Sequence, residues 1–332
     1  MNPKKYSVAS DITLPTEFEG IMAISLPMRA VVRRVLEAAA VDIPVLITGE
    51  TGTGKDLIAA AIHGRSNRKD RPFVPVNTGA MPRELIASEI FGHEKGAYTG
   101  AQDAAPGMFE QADGGTVFLD EISTMDEKTQ VTLLRVLEDK NIRRVGGTKN
   151  IPVDVRVIAA TNEDLENLVR EKRFREDLYY RINVFHIGVP PLRDRPGAVT
   201  VLTDYFVSRY TAVYGKEVEK VLPETYRLLR HYPWPGNVRE LKNVIQTAVL
   251  MIEGKELTPE LIPPRIKEAA NADSDAARPT CSIRVGASLD SVEKELIRMT
   301  LAHVGGNKKL AASILGISRR ALYNKLSKHH LG

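Results

Sequence analysis

The sequence predicts a parallel α/β sheet, then a smaller all-helical region, then a basic helical tail. Three observations carry this reading. Between about residues 21 and 190, short β-branched runs alternate with amphipathic stretches, the pattern of strands joined by crossover helices. From about residue 195 the strand signal disappears and helical periodicity takes over. Positive charge gathers at the C-terminus: residues 282–332 hold nine Lys/Arg and three acids, a net of +6, which leaves −2 on the other 281 residues of a chain of net charge +4. A near-neutral body with a basic tail points to a polyanionic partner at that end.

The 332 residues, 43% hydrophobic and 27% charged, suit a globular chain of about two domains with a sizeable core. No apolar run reaches the roughly 18 residues that a membrane span needs, so no membrane partner is expected. Met1-Asn2-Pro3-Lys4-Lys5-Tyr6 is not followed by the apolar core of a signal peptide. One cysteine, Cys281, excludes an internal disulfide and fits a reducing, cytoplasmic setting.

Taken in order, residues 1–20 are polar and unpatterned and are expected to form an N-terminal arm. Residues 21–194 form the α/β region. Val45–Thr48, Phe73–Val76, Thr116–Leu119 and Val155–Ala159 read as buried strands, and Lys128–Asp139 as an amphipathic helix. Residues 195–264 form the helical region, with helices over Leu202–Tyr214, Glu224–His231 and Asn237–Met251 punctuated by Pro233, Pro235 and Gly236. Residues 265–288, rich in Ala, Asn, Asp and Ser, are the expected linker. Residues 289–332 are helical again.

Gly49-Glu50-Thr51-Gly52-Thr53-Gly54-Lys55-Asp56 lies between a strand and a helix. Glycines let backbone N–H groups approach phosphate oxygens, Lys55 reaches the β- and γ-phosphates, and the helix N-terminus favours negative charge. The general motif ends in a Ser or Thr that binds Mg²⁺, whereas this chain has Asp56. Thr116-Val117-Phe118-Leu119-Asp120-Glu121 supplies the second half of such a site, acids at the end of a buried strand. Asp120 is placed to hold Mg²⁺ and Glu121 to polarise the attacking water. Alone, the first motif also fits an ordinary turn and the second a helix-terminal acid pair; together they imply ATP hydrolysis.

In the tail, Asn307–Leu315 forms an amphipathic helix, Gly316-Ile317 a tight turn, and Ser318 caps a helix over Arg319–Ser327. Ala312, Gly316 and Leu322 have helix-turn-helix spacing: a small residue at the helix crossing, Gly where φ is positive, an apolar residue where the second helix packs. Lys308, Lys309, Arg319, Arg320, Tyr323, Asn324 and Lys325 are then the DNA-facing set, the residues near the helix start reading bases and the later lysines holding phosphate.

Over about residues 20–262 the sequence resembles the AAA+ domain of bacterial enhancer-binding proteins, the sigma-54-dependent activators. Its phosphate loop carries an acid after the lysine, as Asp56 does here. Ser88-Glu89-Ile90-Phe91-Gly92-His93-Glu94-Lys95 leads into Gly96-Ala97-Tyr98-Thr99-Gly100-Ala101, which resembles the family's sigma-54 contact loop, with Tyr98 where Phe is usual. The resemblance implies an AAA+ parallel sheet with flanking helices, a helical lid subdomain, and a C-terminal all-α, Fis-like helix-turn-helix with Leu289–His303 as a dimerisation element. It implies that Asn77 restrains Glu121, that Thr161 and Asn162 sense the γ-phosphate, that Arg175 and Arg181 are arginine fingers, and that Arg239 of Trp234-Pro235-Gly236-Asn237-Val238-Arg239-Glu240-Leu241 reaches the phosphates from the lid. Implied cofactors are ATP and Mg²⁺. Implied partners are sigma-54 and RNA polymerase, double-stranded DNA, and other copies of the chain, as a dimer at low concentration and a hexameric ring. Only about 20 residues precede the motor region, where the family often has a sensory domain. That implies control in trans by an inhibitor or co-activator, or control by expression. Two other readings, a DNA-binding regulator that has lost sigma-54 contact and an AAA+ remodeller unrelated to transcription, are disfavoured by the intact Gly96–Ala101 loop and the helix-turn-helix.

Overall fold

The computed structural model describes residues 17–97, 101–276 and 288–329. They fall into two compact units: residues up to Leu222 with Pro233–Leu257, and Pro223–Tyr232 with the residues from Thr258 onward. Among the described residues no helix is long and apolar enough to cross a membrane.

The first unit is built on five strands: β1 (Val45–Thr48), β2 (Phe73–Asn77), β3 (Thr116–Asp120), β4 (Arg156–Thr161) and β5 (Phe185–Gly188). All pair in parallel, in the order β5-β1-β4-β3-β2. Successive side chains alternate between two cores. Val45, Ile47, Phe118, Ile158 and Ala160 pack on one side with α1 (Leu26–Ala39) and α2 (Lys55–Gly64). Leu46, Val117, Leu119, Val157 and Ala159 pack on the other with α3 (Arg83–Phe91), α4 (Glu127–Asp139), α5 (Leu165–Arg170) and α6 (Glu176–Ile182). Burial on both faces is why these strands read as continuous apolar runs. Each fully buried side chain such as Ile47 contributes about 1.5–3 kcal/mol.

Register sets the site. Thr48 is opposite Thr161, and Asn77 is opposite Asp120, so the carboxyl ends of four strands meet at one edge of the sheet. That edge is where open α/β sheets bind ligands. The helices that follow are capped by the expected residue types: Asp126 accepts from Thr129 N at the start of α4 and Asp164 from Asn167 N at the start of α5.

The lid expected over 195–264 divides between the units. α7 (Ala198–Tyr214) packs with α9 (Asn237–Met251) in the first, whereas α8 (Pro223–His231) packs with α10 (Pro264–Ala276) in the second. α10 also runs through the first half of the stretch expected as linker. Ile266 and Ala270, spaced i, i+4, are buried there, so a single apolar stripe makes that segment helical despite its polar composition. Residues 277–287 of the linker, Cys281 included, and the N-terminal arm up to residue 16 lie outside the described residues.

The second unit ends in three helices, α11 (Leu289–His303), α12 (Lys308–Ile314) and α13 (Arg319–His329). Ile297, Ala311, Ala312, Leu322 and Leu326 form their core. Gly316 adopts φ +65° in the turn, and Ser318 Oγ accepts from Ala321 N at 3.2 Å as the cap of α13.

Candidate functional site

A cavity of about 610 Å³ opens at the carboxyl edge of the sheet. Thr51, Gly52, Gly54, Lys55 and Asp56 line it from the phosphate loop, Asn77, Asp120 and Glu121 from the strand ends, and Arg239 from α9. Sequence reasoning did not single out Tyr205, Phe206 and Arg209 of α7 or Lys242 of α9, which also line it. Their signal was ordinary helical periodicity.

Gly52 and Gly54 take φ of +79° and +97°, which L-residues with a Cβ rarely adopt. Gly52 is also a close approach: a Cβ there would lie 2.3 Å from the carbonyl oxygen of Gly236. Lys55 is 8% exposed, and its Nζ donates to the carbonyls of Gly49 (2.8 Å) and Glu50 (3.3 Å). Burial lowers its pKa, opposed chiefly by the nearby Asp120 and Glu121 carboxylates. Thr53 is buried with its hydroxyl on Glu50 O, and its own carbonyl accepts from Arg195 at 2.9 Å. Arg195 is 6% exposed and binds the carbonyls of Thr53 and Pro190, so burial pushes its pKa down to about 10.

The acids at the end of β3 are held by their backbone. Glu121 adopts φ +57°, and its N–H donates to Asp120 Oδ1 at 3.0 Å. The hydroxyl of Thr78, fully buried, lies 2.9 Å from the Asp120 carbonyl and 2.8 Å from that of Glu121. Thr78 is a positioning group that the sequence alone did not reveal, although it adjoins Asn77. The Glu121 carboxylate rests over Gly79, where a Cβ would fall 1.7 Å from Oε2, and the Asn77 carboxamide lies beside the same point, its Oδ1 accepting from Ala80 N at 3.1 Å.

Several expected residues stand outside the cavity. Gly49, Glu50, Thr53, Thr161 and Asn162 do not line it, although Asn162 Nδ2 donates to Thr51 Oγ1 at 3.3 Å and Thr161 Oγ1 to Ser123 at 3.2 Å. Arg175 forms a two-bond pair with Asp177 (3.0 and 2.7 Å), and Arg181 donates to the Leu137 carbonyl at 3.1 Å; neither reaches the cavity of its own chain.

In the Gly96–Ala101 loop, Gly96, Ala97 and Ala101 are described, while Tyr98, Thr99 and Gly100 lie outside the described residues. The stem pairs Gly92–His93 with Ala105–Pro106, and Gly96 N donates to Ala101 O at 2.9 Å. Arg144 clamps the base, bonded to Glu94 (3.3 Å) and to both oxygens of Glu110 (2.9 and 2.8 Å).

In the second unit, Lys309, Arg319, Arg320, Tyr323 and Asn324 are exposed, and Lys308 Nζ lies 5.3 Å from the Tyr323 ring centroid. Lys325, expected to hold phosphate, is instead half-buried and paired with Glu293 of α11. His329 Nε2 lies 3.2 Å from the same carboxyl group, and Lys328 pairs with Asp290.

The chemistry of the cavity fits a nucleoside triphosphate. Its volume lies in the small-ligand range, its cations Lys55, Arg209, Arg239 and Lys242 match phosphate charge, and Asp56, Asp120 and Glu121 offer hard oxygen donors suited to a divalent ion. Residues 21–188 match the family model of the sigma-54 interaction domain, 193–279 that of the AAA+ ATPase lid domain, and 288–329 that of the bacterial regulatory proteins of the Fis family. The chain is 42% identical over 338 residues to the transcriptional regulatory protein FlbD of Caulobacter vibrioides, covering 98% of this chain and 74% of that one. It is 43% identical over 314 residues to the sigma54-dependent transcriptional regulator SfnR of Pseudomonas fluorescens, covering 90% and 86%. The crystal structure of NtrX from Brucella abortus in complex with ADP superposes with a TM-score of 0.70 at 31% identity, covering 93% of this chain and 70% of that one.

Proposed function

The chain belongs to the sigma-54-dependent transcriptional regulators, with an AAA+ sigma-54 interaction domain and a Fis-type DNA-binding domain, and on that premise we propose that it hydrolyses ATP to remodel the closed promoter complex of sigma-54 RNA polymerase into the open one. One observation carries the reading: Lys55, the Asp120–Glu121 pair and the lid residue Arg239 converge on a single cavity although they are far apart in sequence.

ATP with Mg²⁺ supplies the scissile phosphoanhydride and a cation that neutralises charge developing on the phosphates. The chain does the rest. Backbone N–H groups of Gly52–Lys55 and the Lys55 ammonium hold the phosphates. Asp120 would hold the metal ion, and Glu121, kept in place by Thr78 and Gly79, takes the proton of the attacking water. Thr161 and Asn162 follow the state of the γ-phosphate. Arg175 and Arg181, directed away from their own cavity, serve a neighbour's site in a hexameric ring, where a finger is worth about 10³–10⁵ in rate. The Gly96–Ala101 arm, rooted through Arg144, carries the resulting motion to sigma-54, with Tyr98 as the apolar contact. The C-terminal helices bind upstream DNA.

Open-complex formation on a supercoiled sigma-54 promoter tests this directly, comparing the wild type with Tyr98→Ala. The expected result is ATP-dependent activity in the wild type, lost in the variant with ATPase retained. A variant as active as the wild type removes the role given to the loop. A wild type that hydrolyses ATP yet neither opens the promoter nor binds sigma-54 with a transition-state analogue overturns the reading.

A further inference from the structure

The phosphate loop carries a carboxylate, Glu50, where an acid aimed at a triphosphate would repel it. The structure turns it the other way. Glu50 does not line the cavity. Its Oε1 accepts from Arg193 Nη2 at 2.6 Å, and its Oε2 accepts from Arg193 Nη1 at 2.9 Å and from Asn237 Nδ2 at 3.1 Å. Those bonds, Arg193 first and Asn237 second, hold its pKa below the ordinary carboxylate value.

Asn237 is fully buried at the first position of α9 and adopts φ +52°. Its Nδ2 also donates to Thr51 O at 3.1 Å, and its Oδ1 accepts from Leu192 N at 2.7 Å. Two residues on, Arg239 N donates to Gly52 O at 3.3 Å. Residues 50, 51 and 52 of the loop are therefore each bonded to the start of α9, and the segment carrying Leu192 and Arg193 closes the triangle. The first two turns of α9 place Arg239 and Lys242 at the cavity.

We propose that Glu50 is a positioning residue: through Asn237 and Arg193 it fixes where α9 stands over the phosphate loop, and so decides whether Arg239 and Lys242 reach the nucleotide phosphates. The proposal rests on the ATPase reading above. The Glu50 side chain is 41% exposed, so Glu50→Ala can be made without opening a core. The interaction itself is polar and directional, so it predicts both coupling and rescue.

Steady-state ATPase of the full chain, with ADP affinity by calorimetry and thermal melting as controls, tests it. Glu50→Ala is expected to raise KM for ATP about tenfold or more, as small misplacements of binding groups do, with a smaller change in kcat. Combining it with Arg239→Ala is expected to add little beyond Arg239→Ala alone, because both act through one contact. Asn237→Asp, which sets two carboxylates against each other, should be impaired and partly rescued by Glu50→Gln, which restores a donor–acceptor pair of reversed polarity. An unchanged KM in Glu50→Ala, or full additivity with Arg239→Ala, overturns the proposal while leaving the ATPase reading intact. Loss of melting temperature without a KM effect reduces Glu50 to a structural link and also overturns it. A wild type that neither binds ADP nor hydrolyses ATP sinks the ATPase reading itself, and the proposal with it.

Discussion

His63 sits in the last turn of α2, 6% exposed, with Nδ1 3.0 Å from the Thr116 hydroxyl and its ring 5.0 Å from that of Phe73. Burial lowers its pKa below the ordinary 6.5. The unfolded chain then takes up the proton before the folded one does. Stability from this group is complete above about pH 6.5 and is lost as pH falls from there toward the depressed folded value, with a slope of at most about 1.4 kcal/mol per pH unit. Below that value the group adds no further slope. Thermal melting between pH 7.5 and 5 should show the decline, and His63→Gln should flatten it. His186, hydrogen-bonded to Thr48 at 2.7 Å, shifts in the same direction, so some slope persists in the variant. An identical slope in both proteins would place the titration elsewhere. At this scale the sequence is informative only where chemistry is contiguous. The phosphate loop and Asp120–Glu121 are legible because each motif holds its own donors and glycines. Thr78 and the Glu50–Asn237 bond are not, since the latter joins residues 187 positions apart.

At the scale of elements, legibility follows burial. The three inner strands, β1, β3 and β4, announce themselves because both faces are apolar; Phe73–Val76, read as a buried strand, is instead an edge strand in which Phe73 and Val74 are half-buried and Pro75 is exposed. β5, four residues including His186 and Gly188 at the sheet edge, offers too little pattern and was not anticipated. α10 was obscured by the Ala-, Asn- and Asp-rich composition around its narrow buried stripe. In the tail, helix positions and the cap at Ser318 follow from spacing, but the partner of Lys325 does not. Glu293 on α11 pairs with the half-buried Lys325 of α13 and Asp290 with the exposed Lys328, and the two pairs dock α13 on α11. Duplex phosphate must compete with Glu293 for Lys325. Glu293→Gln removes the competing charge, so binding to non-specific duplex should tighten several-fold, and the slope of log K against log salt should steepen by about one contact, or 0.9. Fluorescence anisotropy across a salt series reads both. A variant of unchanged slope would show that Lys325 is bound to α11 for structure alone. A lower melting temperature would identify the clasp as the main tie between the helices.

At the scale of the whole molecule, the arginines that sequence order marks as fingers are absent from their own chain's cavity. Arg175 is paired with Asp177, which raises its pKa; Arg181, exposed, donates to the backbone carbonyl of Leu137. Neither arrangement is catalytic within one chain. A head-to-tail ring, in which each subunit offers one surface to the next, gives such residues a target. The two halves of the site can then be broken separately. The double variant Arg175→Ala, Arg181→Ala keeps an intact phosphate loop and Glu121 but presents no finger. Glu121→Gln keeps the finger but lacks the base. Each variant alone should be inactive in ATP hydrolysis while still binding ADP. Mixed in equal amounts, about a quarter of the interfaces of a randomly assembled ring join a sound cavity to a sound finger. ATPase should therefore recover to about a quarter of the wild-type rate in the mixture and vary with the mixing ratio as the product of the two fractions. Fingers acting within one chain predict no recovery at any ratio, because every molecule in the mixture remains defective. Recovery that rises linearly with one component would instead indicate residual activity of that variant. The shape of the mixing curve thus separates a site completed by a neighbour from one contained in a single chain.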